Sequence, residues 1–153
     1  MKLVASGLYD QTVKIWDAAT GICTQTLKGY SDYVTSVAFS ADSKLIASGL
    51  NDKTVKIWDT ATGSCIQILK GHSDYVMLVS FFPALKLIAS GSYDKTVKIW
   101  DTVTGTYMQT LGGHSRAIMS LAFSPDLKLI ISGLGDQTAK IWDIVIGLST
   151  QTL

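Results

Sequence analysis

Cysteine, proline and histidine are each present only twice in the 153 residues. Cys23 and Cys65 are 42 residues apart and occupy the same place in a repeated unit. Equivalent positions in neighbouring repeats hold their side chains apart, so two free thiols are expected rather than a disulfide. Two cysteines and two histidines at this spacing match no zinc pattern, so no metal and no cofactor are expected. No run of about 18 apolar residues is present, and no membrane span is expected. The start, Met1-Lys-Leu-Val-Ala-Ser-Gly7, has no long apolar core of a signal peptide. A soluble, cytoplasmic protein is the expectation. Thirteen Lys and Arg against twelve acidic residues leave a net charge of +1. The lysines do not gather on one face, so nothing draws a nucleic acid to the chain. Helix signals are missing as well.

What is present is repetition. Asp94-Lys-Thr-Val-Lys-Ile-Trp-Asp101 occurs again as Asp52 to Asp59, and with small changes as Asp10 to Asp17 and Asp136 to Asp143. The four tryptophans, Trp16, Trp58, Trp100 and Trp142, mark its copies at intervals of 42 residues. Residues 3–44 match residues 45–86 at 27 of 42 positions without a gap. Units so alike share one local fold. With 47% hydrophobic residues the chain can bury a core and is not disordered.

One unit gives the secondary structure. Tyr75–Phe82 is apolar, β-branched and aromatic, and reads as a strand. Pro83 to Lys86 is a turn. Leu87–Gly91, Thr96–Asp101 and Thr106–Leu111 read as three further strands, separated by Ser92–Lys95 and by a turn closing on Gly105. Four short antiparallel strands make a meander. Val97 and Ile99 point to one face of it and Trp100 to the other. A sheet apolar on both faces must be covered on both, and stacking like sheets around an axis achieves this.

Gly71-His72, Ile88-Ala-Ser-Gly-Ser92, Asp94 to Asp101 and Phe123-Ser-Pro-Asp126 together resemble the WD40 repeat. The resemblance covers essentially the whole chain and implies an all-β fold of WD40 β-propeller blades, with one repeat domain over residues 1–153. Three blades are complete (about 29–70, 71–112 and 113–153), and one, about 1–28, lacks its first strand. Thr60-Ala-Thr-Gly63, Gln25-Thr-Leu-Lys-Gly29 and His72-Ser-Asp-Tyr-Val76 further resemble the arrays of fungal NACHT–WD40 proteins. Propellers of this family usually have about seven blades. The chain is therefore expected to form an open arc, to close tightly as four blades, or to join another copy. It is also readable as a piece of a longer product.

His72, Ser90 and Asp94 invite a nucleophile–base reading. Their recurrence as His114, Ser132 and Asp136 favours a structural one, since a residue found in unit after unit serves the frame. In the WD40 family the residues matching Trp100, Ser90, His72 and Asp94, and Trp142, Ser132, His114 and Asp136, form a buried hydrogen-bond chain. Tyr30 stands where the histidine would precede Ser48, Asp52 and Trp58, and Ser6, Asp10 and Trp16 have no preceding loop. The two N-terminal blades are thus expected to be the less stable. Gly133-Leu-Gly135 fits no phosphate loop, and the repeated aspartates form no catalytic pair. No enzyme activity is expected.

The resemblance places the partner-binding face in the loops before the first and third strands. There the chain carries Tyr9, Asp32, Tyr33, Asn51, Asp74, Tyr75, Tyr93 and Arg116. Tyrosine and arginine are common interface anchors. The expected partner is a protein or peptide, with self-association as the alternative. Leu85, Leu127, Leu8, Leu50 and Leu134, with Ala84 and the pair Val145-Ile146, depart from the family pattern. They read as apolar residues at exposed turns, from relaxed constraint or an associating surface.

Overall fold

The computed structural model describes residues 2–82, 86–124, 126, 128–134 and 138–153, the side chain of Leu134 excepted. The described chain contains strands and turns and no helix. It forms four antiparallel sheets in chain order. The first has three strands: β1 (Leu3–Gly7), β2 (Val13–Asp17) and β3 (Cys23–Leu27). The second holds β4 (Val34–Phe39), β5 (Leu45–Leu50), β6 (Thr54–Asp59) and β7 (Cys65–Lys70). The third holds β8 (Val76–Phe81), β9 (Leu87–Ser92), β10 (Val97–Asp101) and β11 (Tyr107–Leu111). The fourth holds β12 (Ile118–Phe123), β13 (Leu129–Leu134), β14 (Ala139–Asp143) and β15 (Ser149–Thr152). Three complete blades and one partial blade are formed.

The core lies between the sheets, in three clusters. Val13, Ile15 and Leu27 of the first sheet meet Tyr30, Val34, Ile46, Leu50 and Trp58 of the second. Val55, Ile57 and Leu69 then meet Val76, Val79, Ile88 and Trp100. Val97, Ile99 and Leu111 finally meet Ile118, Ile130 and Trp142. Strand alternation explains the arrangement: on β6 and β10, Val and Ile face the following sheet while Trp faces the preceding one. Among the described residues no buried cluster joins the first sheet to the fourth. Val4 is 51% exposed and Ile131 38%, whereas Ile46, Ala47, Ile88 and Ala89 at the matching positions are fully buried.

Leu50 corrects the sequence expectation. It is not at an exposed turn: it ends β5 and is fully buried between the first two sheets. The matching Ser92 is equally buried but spends its hydroxyl on the carbonyls of Asp74 and Tyr75. Both residue types solve one buried position, one by packing and one by hydrogen bonding. Val145 and Ile146 are exposed; Ala84, Leu85 and Leu127 lie outside the described residues.

Two irregularities recur and shape the surface. The register between first and second strands shifts at Thr35 and at Met77, leaving each as the extra residue of a bulge. Such bulges redirect side chains away from the ladder. A second bulge lies between third and fourth strands, beside each tryptophan. Cys23 and Cys65 are free and exposed on the outer strands β3 and β7.

Candidate functional site

The frame comes first, because it fixes the loops. In the third blade Trp100 Nε1–H donates to Ser90 Oγ at 2.7 Å. His72 Nε2 lies 2.7 Å from the same hydroxyl, and His72 Nδ1 lies 2.7 Å from Asp94 Oδ2. One assignment satisfies all three links: the serine hydroxyl donates to Nε2 of a neutral histidine, whose Nδ1–H donates to the Asp94 carboxylate. Burial holds the His72 pKa below its usual value, against the opposing pull of Asp94. Burial alone would raise the Asp94 carboxyl, but donors from Thr96 and His72 outweigh it and hold it low. Asp94 also accepts the N–H of Ser73 at 3.0 Å and the N–H and hydroxyl of Thr96 at 3.0 and 2.6 Å. The chain therefore ties the loop before β8 to the turn before β10.

The distances also suit a serine–histidine–aspartate triad, but Ser90 does not. Its side chain is fully buried and its oxygen already accepts the Trp100 N–H. A nucleophile must reach its substrate, and this hydroxyl faces the interior.

The other blades vary the theme. In the fourth, Trp142 donates to Ser132 at 2.7 Å and His114 Nε2 lies 2.6 Å from it; Asp136 and Gly135 lie outside the described residues. In the second, Trp58 donates to Ser48 at 3.1 Å, and Tyr30 fills the histidine position. The Tyr30 ring stacks on Trp58 with centroids 4.5 Å apart, and burial pushes its phenol pKa up against the Ser48 hydroxyl. Ser31 takes over the histidine's other task by donating to Asp52. In the first, Trp16 donates to Ser6 at 3.0 Å, and among the described residues Asp10 holds only Thr12.

A second tie went unnoticed in the sequence. With their amides oriented by their partners, Gln25, Gln67 and Gln109 on the fourth strands each clamp a turn of the following blade. Gln67 donates to Thr102 O at 3.0 Å and accepts from Gly105 N at 2.9 Å. Gln25 does the same at Thr60 and Gly63, and Gln109 at Ile144 and Gly147. These glycines have φ near +70° and no room for a Cβ against the amide. The signal was available: glutamine recurs at 25, 67, 109 and 151.

On this frame sit the variable loop residues. Backbone bonds from Asn51 N to Tyr33 O (3.1 Å) and from Tyr93 N to Tyr75 O (2.9 Å) pin turn to loop. Tyr9, Tyr33, Asn51, Tyr75 and Tyr93 all line one recess of about 510 Å³, together with Gly7, Val34 and the bulge residues Thr35 and Met77. Tyr9 and Tyr33 come from different blades and meet edge to face at 5.2 Å; Tyr75 and Tyr93 do so at 6.2 Å. Arg116 lines a neighbouring recess of about 410 Å³ with Tyr93, Lys95, Ser115, Ala117 and Met119. Asp32 and Asp74 are not among the walls of either; their carboxylates accept the N–H of Tyr33 and Tyr75.

A family model for the WD domain, G-beta repeat, matches residues 1–17, 21–59, 63–101 and 105–143. The chain belongs to the WD40 family. Each matched segment after the first runs from the last strand of one blade through three strands of the next, so a WD40 repeat links adjacent blades as the glutamine clamp does. A 42-residue segment is 48% identical to the F-box-like/WD repeat-containing protein TBL1Y of Homo sapiens, covering 28% of this chain and 8% of that protein. A 40-residue segment is 48% identical to nuclear distribution protein PAC1 of Fusarium vanettenii, covering 26% and 9%. PAC1 of Mycosarcoma maydis is 42% identical over 43 residues, covering 28% and 10%. The matched segments thus span about a tenth or less of these relatives. WD40 repeats generally mediate protein–protein interaction as non-enzymatic scaffolds.

Proposed function

We propose that this chain is a non-enzymatic interaction module, and that its partner, a protein or peptide, binds the loop face around the four tyrosines. The observation that carries this reading is the shared recess. Residues from three blades converge on one cavity supported by a hydrogen-bonded frame, and the tyrosines and Asn51 among them stand where the fourth repeat has Ala117 and Gly135. Exposed tyrosines held by pinned loops contribute contact area at a low entropic cost. The volume of about 510 Å³ lies within the roughly 300–1,000 Å³ of ordinary ligand sites.

Selection from a displayed random-peptide library tests the proposal. Peptides enriched on the chain should lose at least about tenfold in affinity when Tyr33 and Tyr75 are both changed to Ala. Peptides that bind both forms equally would refute it. We further propose a cytoplasmic setting and a role as the sensing array of a NACHT-type receptor; the support is the pattern at residues 25–29, 60–63 and 72–76. Detection of the full-length gene product would test this, and a product with no nucleotide-binding domain would remove the receptor role.

A second reading is self-association through the end sheets. It is favoured by the exposure of Val4 and Ile131, whose counterparts are buried between blades. Light scattering after size-exclusion chromatography separates the readings: a dimer supports association and a monomer excludes it.

A further inference from the structure

We infer that the tyrosine recess recognises a cationic side chain, the lysine ammonium of an extended basic peptide. The inference rests on the interaction-module reading and names the chemistry of its ligand.

Three observations carry it. First, among the described residues that line the recess, four of nine are tyrosines and none is charged. The face of an aromatic ring carries negative potential, and a cation within about 6 Å of its centroid is attracted. In each edge-to-face pair one ring presents its edge to the other, so its own faces are not covered by that partner. Lys98 illustrates the chemistry within this chain, its ammonium lying 4.4 Å from the centroid of Tyr107.

Second, each of the five loop residues lining the recess is bonded directly to an aspartate: Tyr9-Asp10, Asp32-Tyr33, Asn51-Asp52, Asp74-Tyr75 and Tyr93-Asp94. Donors to the Asp52 and Asp94 carboxylates outweigh burial and keep them ionised. The Asp32 and Asp74 carboxylates are fixed by the backbone N–H of Tyr33 and Tyr75. Negative charge thus accompanies each of these loop residues in the chain, although the Asp94 carboxylate turns inward to His72 and the Asp52 carboxylate lines the cavity that holds Lys53, Lys56 and Lys70.

Third, among the described residues no cation lines the tyrosine recess itself. Lys95 and Arg116 line the neighbouring recess, and Lys53 lines a third cavity with Lys56 and Lys70. An anionic ligand would find its counter-charges there rather than in the tyrosine cup. The bulges at Thr35 and Met77 complete the design. They turn one small polar and one polarisable apolar side chain into the recess, a floor suited to the methylene stem of a lysine.

The test uses the full chain and three peptides, acetyl-Gly-Ser-X-Ser-Gly-amide with X as Lys, norleucine or Glu. Tyrosine ring resonances are followed by NMR during titration. The lysine peptide should shift them saturably, at least about fivefold tighter than the uncharged norleucine peptide, with no saturation by the Glu peptide. Tyr33→Phe with Tyr75→Phe keeps the rings and should keep binding. Tyr33→Leu with Tyr75→Leu should abolish it, and because both side chains are exposed the fold is retained. Equal binding of the lysine and norleucine peptides, preference for Glu, unchanged binding in the Leu variant, or no binding of any peptide would overturn the inference. Tyrosine-dependent peptides from the library that lack Lys and Arg would leave the interaction module standing and remove the cation.

Discussion

Replacing Asp94 by Ala removes the acceptor at the end of the third blade's hydrogen-bond chain. His72 loses the partner of its Nδ1–H, Ser73 loses one for its N–H, and Thr96 loses two. The His72 imidazole is buried, and a buried donor left unpaired costs about 1–3 kcal/mol. The Ser73 and Thr96 groups lie nearer solvent, where water replaces the carboxylate, so together they add about 1 kcal/mol. The expected loss is about 2–4 kcal/mol. For a chain of 153 residues this lowers the thermal midpoint by roughly 5–15 °C. Asp10→Ala in the first blade is the control. Among the described residues the exposed Asp10 serves only the half-buried Thr12, so its loss should cost less than about 1 kcal/mol. Thermal and urea unfolding, followed by circular dichroism and tryptophan fluorescence, measure both. Equal costs, or a neutral Asp94→Ala, would refute the reasoning.

Further outcomes follow from the same geometry. Burial holds the folded-state pKa of His72 below its usual 6.5, so the unfolded chain takes up a proton that the folded chain resists. Stability present above about pH 6.5 should then fall on acidification, and His72→Gln should flatten that slope in urea midpoints measured between about pH 7.5 and 5. Asp94 adds a second loss only below its usual 3.8. Trp100→Ala should cost about 3–5 kcal/mol as a buried large-to-small change, and the half-buried Trp16→Ala clearly less. Gln67→Ala should cost about 1–2 kcal/mol by releasing two bonds to the next blade, whereas Gln151→Ala on the exposed last strand should be near neutral in urea unfolding.

The strands and their faces were legible because the repeat is gapless and the alternation on each third strand is strict. Val97, Ile99 and Trp100 alone imply a sheet covered on both sides, and the clusters cover it so. Leu50 was misread because its position was judged by the polar Ser92, although either residue can fill a buried site by a different interaction. The glutamine clamp was missed because glutamine on an outer strand looks like solvated surface; only its recurrence in every unit betrayed a role. Which loop residues would gather in one recess was not legible. Tyr9 and Tyr33 meet across a blade boundary, and their convergence depends on the angle between sheets, which no local pattern specifies. That Asp32 and Asp74 would stand outside both recesses, their carboxylates accepting the N–H of Tyr33 and Tyr75, was not legible either.

Mapping the contact surface tests the central claim most directly. Amide and ring NMR shifts of the labelled chain, recorded with a peptide selected for binding, report where the ligand sits. The account places the largest changes at Tyr9, Tyr33, Asn51, Tyr75 and Tyr93, with the outer strands β3, β7 and β11 unmoved. Changes centred on those outer strands, or on the turns carrying Gly63 and Gly105, would contradict it.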